Sequence, residues 1–503
     1  MSAPAAADVP ADNKLDAQVL KVAGVVVLGA IMSILDITVV SVALRTFMDA
    51  FHTSYATVGW TMTGYTLALA TVIPLSGWAA DRFGTKRLYM TALVLFVAGS
   101  ALCSTATGIG ELITFRVIQG LGGGMLMPVG MTIMTRAAGP ERVGRVMAVL
   151  GVPMLLGPIA GPILGGWLID IASWHWVFLI NVPIGAAALL YSFLALPKDK
   201  PSPSESFDFM GMLLLSPGLA LLLFGVSSIP EKGTIAATRV LLPGVVGLVL
   251  VALFVRHALR GLAPRLSARL RRLPMRRPEH PLIDLRLFKN KQLTLSVIGM
   301  FLFAMAFFGA TLLLPSYFQQ VRHQGTLHAG LLVAPQGLGA MITMPIAGFL
   351  ADRIAISKIV VPGVITICIG MAELTQVGAH TSYWLILGAL FVMGLGMGAT
   401  MMPMFTAALQ TLSGPTIARG STLMNIMQQI ASSCGAALMT VLLTNQLKGA
   451  TSAQAMADGF GFTFTVAVIL VAVVLIPAAL LPHGKVKPKD EGVDEAIPAA
   501  MMH

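Results

Sequence analysis

Two ionisable side chains lie deep inside apolar stretches: Asp36, in Leu35-Asp36-Ile37-Thr38-Val39-Val40, and Arg116, in Arg116-Val117-Ile118-Gln119-Gly120. A charge at membrane depth is costly and usually faces a cavity or a partner, so each is a candidate for function. Asp36 follows Lys21 by 15 residues, which at about 1.5 Å per residue places it in the outer half of its segment. A carboxylate there could bind and release protons, attract a cation, stay paired with Arg116, or cap an unwound turn. Arg116 has no proton to transfer, but it can bias a nearby acid in one conformation only, as proton coupling requires. Static helix pairing is the alternative. Gln119 and Gly120, at i+3 and i+4, share the face of Arg116. A third embedded acid, Glu373, reads either as a second proton or cation site or as an interfacial residue beside His380.

A polar stripe runs through Ser421, Asn425, Gln428, Gln429 and Ser432 at i, i+4, i+7, i+8 and i+11. In lipid such a stripe faces protein or water, so it is expected to line a cavity, with interhelical hydrogen bonding as the alternative. Tyr65, Tyr317 and Gln336 are candidates to join it. Two further runs suit movement. Gly77 to Arg87 places Asp81 and Arg82 before the turn residue Gly84, then Lys86 and Arg87; Asp352-Arg353 repeats its first part. Such contacts could latch one state and break in another. Gly157-Pro158-Ile159-Ala160-Gly161-Pro162-Ile163-Leu164-Gly165-Gly166 would break a helix in water, but neighbouring helices in a bilayer can re-satisfy its backbone. Gly157, Gly161 and Gly165 fall on one face and invite close approach of another helix. That face is expected at a moving seal between two halves of the molecule.

The elements that must position these residues are membrane helices. The chain of 503 residues is 56% hydrophobic and 11% charged, with mean hydropathy +0.83. Soluble domains carry about 25% charged residues. Fourteen apolar segments of spanning length begin near Val22, Trp60, Leu88, Leu112, Val143, Trp176, Phe209, Val240, Leu293, Ala329, Ile359, Trp384, Ser421 and Phe460. With both termini inside, the interior loops hold 22 Lys and Arg residues and the exterior loops only Arg45, Lys232, Arg239, Arg322 and Lys448. This bias accounts for the net charge of +11 through an anionic inner leaflet, without nucleic acid. The first 20 residues read as a tail, with no signal peptide. Cys103, Cys368 and Cys434 fall in separate spans and suggest neither disulfide nor metal site.

The chain also repeats itself. Gly77-Trp78-Ala79-Ala80-Asp81-Arg82 returns as Gly348-Phe349-Leu350-Ala351-Asp352-Arg353, and Gly120-Leu121-Gly122-Gly123-Gly124 as Gly394-Leu395-Gly396-Met397-Gly398. Two motifs at nearly one displacement imply two six-helix bundles with two inserted helices between them. The expected layout is a cytoplasmic tail (1–20), a first bundle (21–197), two linking helices (198–258), a basic loop (259–290), a second bundle (291–482) and a tail (483–503).

On these residues the chain resembles the major facilitator superfamily, in its fourteen-helix drug:proton antiporter branch. Gly77 to Arg87 is similar to the superfamily's loop motif, Arg116 to Gly124 to its fourth-helix motif, Gly157 to Gly166 to its antiporter motif, and Leu35 to Leu44 to the first-helix motif of drug exporters. Trp174 to Pro183 and Pro281 to Phe288 add branch-level likeness. Ser41, Arg45 and His175 depart from the usual residues, and the second loop motif stops at Arg353. The resemblance implies an all-α major facilitator fold in a cell's inner membrane, exporting lipophilic, cationic compounds in exchange for protons by alternating access. Asp36, Arg116 and Gln119 would couple the proton. A carrier of the same fold for one metabolite is the alternative. No cofactor, metal or nucleic acid is implied, and an accessory protein is left open. No nucleotide-binding or nucleophile motif suggests an enzyme.

Overall fold

The computed structural model describes residues 16–198, 207–229, 237–262, 281–311, 313–412, 415–448 and 450–482. Most of the expected N-terminal tail and basic loop, and all of the C-terminal tail, lie outside the described residues, as do the side chains of Pro158 and Pro162. The described chain is helical: α1 Ala17–Phe51, α2 Tyr55–Phe83, α3 Thr85–Ser104, α4 Ile109–Ala138, α5 Val143–Ile171, α6 in two pieces (Trp176–Leu179 and Asn181–Ala195), α7 Phe209–Ser227 and α8 Thr238–Leu262. After a short turn of 3-10 helix at Leu285–Lys289 come α9 (Lys291–Thr311 and Leu313–Gln320), α10 Thr326–Ala351, α11 Ser357–Leu374, α12 Tyr383–Leu409, α13 Pro415–Leu447 and α14 (Ala453–Val473 and Leu475–Leu480). Thirteen helices among the described residues are long and apolar enough to cross a membrane. Val143–Ile171, 29 residues long, carries the glycine–proline run without interruption. This is a multi-pass membrane protein.

Turn chemistry sets the ends. Gly84, at φ 91°, makes the tight connection between α2 and α3, where a side chain would be strained. Ser54 caps α2 by accepting from the Thr57 N–H, and Asp208 caps α7 through Gly211.

The two repeats pack alike. In the first bundle α4 lies between α2 and α3. A β-carbon added at Gly120 would fall 2.6 Å from the Tyr65 carbonyl oxygen of α2, and one at Gly122 only 2.5 Å from the Phe96 nitrogen of α3. In the second bundle α12 lies between α10 and α11, with Gly394 and Gly398 against Gln336 and Ala340 of α10 and Gly396 against Gly363 of α11. Without a hydrophobic driving force between helices in lipid, such backbone approach supplies the packing. The inserted pair sits on one seam: α7 packs on both α2 and α13, and α8 packs on α7.

The halves meet near the end rich in Lys and Arg, the basic end. Here α5 packs on α10 and α12, and α13 on α2 and α4. The glycine face of α5 is placed differently from expectation. Gly157 lies against Ile34, Gly161 against Thr38 and Gly165 against Val39, all on α1 of the same bundle. The inter-half contact of α5 is made about two to four turns earlier, by Gly144 against Gly348 and Gly151 against Met344. Spacing on one helix shows that a partner approaches closely, and tertiary packing selects which partner.

Candidate functional site

Five helices of the first bundle bring polar groups to one buried point. Arg116 of α4 donates from Nη1 to Asp36 Oδ2 of α1 at 2.5 Å, and the two side chains are 1% and 0% exposed. Gln119, one turn along α4, bridges the pair: its carbonyl oxygen accepts from Arg116 at 2.7 Å while its amide donates to Asp36 Oδ1 at 2.7 Å. Asn181 of α6 donates to the same Asp36 oxygen at 3.1 Å and to Ser100 Oγ of α3 at 3.0 Å. Arg116 Nε donates to the Thr61 carbonyl of α2 at 3.2 Å, and its guanidinium lies 4.1 Å from the centre of the Tyr65 ring. Gly99 and Gly120 permit this convergence, because a β-carbon at either would strike the backbone of Gln119 or Tyr65. Both carboxylate oxygens are thus hydrogen-bonded and the buried charge is paired, the conditions under which such a pair persists.

A cavity of about 410 Å³ lies beside this cluster, between the bundles. Ser33, Ile37 and Thr38 of α1, Met127 of α4, Phe308 of α9 and the stripe of α13 line it. Asn425, Gln428, Gln429 and Ser432 all face it. Ser421 instead donates to the Pro128 carbonyl of α4 at 2.9 Å and so joins the two halves below the cavity.

Four candidates for the cavity wall lie elsewhere. The Tyr65 ring is turned to Arg116, and its hydroxyl stands 3.5 Å from Ser33 Oγ. The Tyr317 hydroxyl donates to the Gly378 carbonyl at 2.8 Å and packs its ring on Phe318 and Phe460, tying down an end of α9. Gln336 is buried where α10 presses on Gly394. Glu373 is exposed, next to the last residue of α11, because Gly370, Met371 and Leu374 carry the buried face of that turn and Glu373 lies off it.

The loop motifs form the closure at the basic end. Asp352 accepts from the backbone N–H of Gly144 at 2.8 Å and from Arg145 Nε at 3.0 Å, so an acid of α10 caps the start of α5 in the other half. Burial raises its carboxyl above the usual carboxylate range, against the opposing pull of Arg145 and the two backbone N–H groups. On the other seam Gly77 lets α2 approach Thr422 of α13, where Ser76 and Thr422 hydroxyls meet at 3.0 Å. Asp81 pairs with Arg136 at 2.9 Å. Lys86 donates to the carbonyls of Phe193 and Leu196 and so holds the end of α6. The Arg353 guanidinium covers the Phe349 ring at 3.9 Å. Arg82 and Arg87 are both exposed.

Asn181 and Ser100 were not singled out from sequence as parts of this cluster. The available signal was an amide inside the apolar run Phe178-Leu179-Ile180-Asn181-Val182.

Residues 26–436 match the family model described as Major Facilitator Superfamily. A Mycobacterium tuberculosis protein called multidrug resistance protein B homolog is 48% identical over 93% of this chain and 91% of its own. A putative multidrug resistance protein of Pectobacterium carotovorum is 28% identical over 91% of this chain and 94% of its own. Among solved structures, the human organic anion transporter MFSD10 superposes with TM-score 0.60 at 17% identity, covering 91% of this chain and 100% of its own. A proton:xylose symporter superposes with TM-score 0.59 at 13% identity, covering 91% of this chain and 96% of its own. With two packed repeats, an inserted helix pair and a matched family model, the chain belongs to the major facilitator superfamily.

Proposed function

We propose that this protein exports lipophilic compounds across the plasma (inner) membrane in exchange for protons, by alternating access between its two bundles. The observation that carries the reading is the Asp36–Arg116 pair, fully buried beside the central cavity. Arginine holds its charge throughout, so the carboxylate is the member that can take up a proton. Protonation would dissolve the pair and free Arg116 from its anchor on α1, giving α1 and α4 a reason to rearrange. The names of the relatives at 48% and 28% identity support drugs as cargo. The basic end is then the cytoplasmic one, with both termini there.

In this arrangement the contacts at Gly144–Gly348, Asp352–Arg145 and Ser76–Thr422 close the cytoplasmic side. The test is transport in proteoliposomes under an imposed pH gradient, comparing the parent with Asp36→Asn and Arg116→Ala. Gradient-driven export that both variants lose is expected. Export indifferent to the gradient and unchanged in both variants overturns the reading, and solute moving with the proton marks a symporter.

A further inference from the structure

None of the fifteen described residues lining the central cavity is Asp, Glu, Lys, Arg or His. The neighbouring stretch of α5, residues 152–162, carries no charged residue in its sequence either. Asp36 is near in sequence to three lining residues, Ile34, Ile37 and Thr38, but its carboxylate points into the first bundle. Its side chain is fully buried and both its oxygens are occupied by Arg116, Gln119 and Asn181. Glu373, the other acid expected within the membrane, is exposed at the end of α11. A cation entering this cavity would therefore lose its water without meeting an opposite charge, which is the costly way to bury an ion.

An uncharged molecule meets no such cost. Its apolar body finds Ile37, Met127 and Phe308, and its polar groups find hydroxyls and amides. Asn425 already donates to the Ser421 carbonyl at 2.8 Å, whereas the amides of Gln428 and Gln429 form no hydrogen bond with other described residues. These two amides are the groups best placed to recognise a carbonyl or hydroxyl. The volume lies toward the small end of the roughly 300–1,000 Å³ typical of drug-sized sites.

From this geometry we infer that the cargo is an uncharged lipophilic compound bearing hydrogen-bonding groups, and that its exchange is electrogenic. The inference rests on the proton-exchange reading for its second half. A neutral molecule leaving against one entering proton carries one net positive charge inward, so membrane potential drives export as well as the pH gradient. Export of a monovalent cation against one proton would move no net charge. The expectation of a cationic cargo gives way, because the acid that suggested it is turned from the cavity.

The test uses the full chain in proteoliposomes with radiolabelled chloramphenicol, uncharged at neutral pH, and radiolabelled tetraphenylphosphonium, a permanent cation. Chloramphenicol should bind at least about tenfold more tightly than tetraphenylphosphonium. Gln428→Glu, which puts a carboxylate in the wall, should reverse that order; Ser432→Asp is the second variant should the first fold poorly. A parent that prefers the cation, or does not distinguish the two, overturns the inference. A potassium diffusion potential imposed with valinomycin at equal pH should drive chloramphenicol export. If the pH gradient drives export and the potential does not, electrogenic exchange is wrong and proton exchange stands. If neither drives it, the proton-exchange reading falls while the binding order still decides the charge rule. If neither probe binds, the lipophilic cavity itself is refuted.

Discussion

Neutralising one member of the central ion pair should cost at least as much as neutralising both. In Asp36→Asn, Arg116 stays charged and buried, keeping the Gln119 oxygen at 2.7 Å and the Thr61 carbonyl at 3.2 Å. In Arg116→Gln, Asp36 keeps donors from Gln119 and Asn181 at 2.7 and 3.1 Å. Removing one partner of a buried pair costs about 3–5 kcal/mol, and these residual bonds place each single variant near 3 kcal/mol. For a bundle of this size that corresponds to a fall of roughly 6–12 °C in melting midpoint. The double variant leaves two neutral amides able to bond each other and Gln119, so its loss should be no larger than either single loss. The assay is thermal unfolding of the purified protein in detergent, followed by intrinsic fluorescence as a double-mutant cycle. A double loss equal to the sum of the singles, within about 0.5 kcal/mol, would mean that the two charges do not interact and would refute the reasoning.

Other positions give sharper local tests. Gly161→Val sets a branched side chain against Thr38, itself branched and bonded to the Gly157 carbonyl, so α5 must leave α1; transport should be lost and the melting midpoint lowered. Asn181→Ala removes a donor to a charged acceptor, worth about 1.5–3 kcal/mol, and should slow gradient-driven export at least tenfold while a binding assay for the cargo stays unchanged. Unaltered export would show that Asn181 does not position Asp36. At the cytoplasmic closure, burial holds Asp352 above its ordinary value of 3.8, so the closed form binds a proton more readily than a form that exposes the acid. Its contribution to closure is therefore full below about 3.8 and fades as pH rises through the raised value. Hydrogen exchange across 340–352, corrected for intrinsic rates, should increase over that window and lose the slope in Asp352→Asn.

Much of the site is legible in the sequence because charge is so scarce in it. Asp36 and Arg116 stand out against apolar neighbours, and Gln119 follows from one helical turn. The α13 stripe is legible for the same reason, since an amide on a membrane helix must face something polar. Asn181 is harder to read: a single amide shows that a partner exists, and only the packing of α6 against α1 and α3 names it. Tyr317 and Gln336 fail for the converse reason, as a polar tip on a large side chain can bond to a loop carbonyl or sit at a helix crossing as readily as face a cavity. Glu373 turned on helix phase: Met371 and Leu374 carry the buried face of the last turn of α11, and the acid between them points away from it. The family resemblance identified the branch motifs; which helix each motif touches came from geometry.

The paired glycine triads carry a consequence for substitution tolerance. Gly120, Gly122 and Gly124 are excluded from accepting larger residues by backbone atoms of α2 and α3, and Gly394, Gly396 and Gly398 by those of α10 and α11. A scan of all single substitutions for surface expression should therefore show one intolerance signature twice, displaced by 274 positions, from Gly120 to Gly394. The second copy contains no ionisable residue, so charge chemistry and helix contact separate there. Positions intolerant in both copies report how the bundle is assembled; positions intolerant only in the first, Arg116 and Gln119 above all, report what the bundle is for.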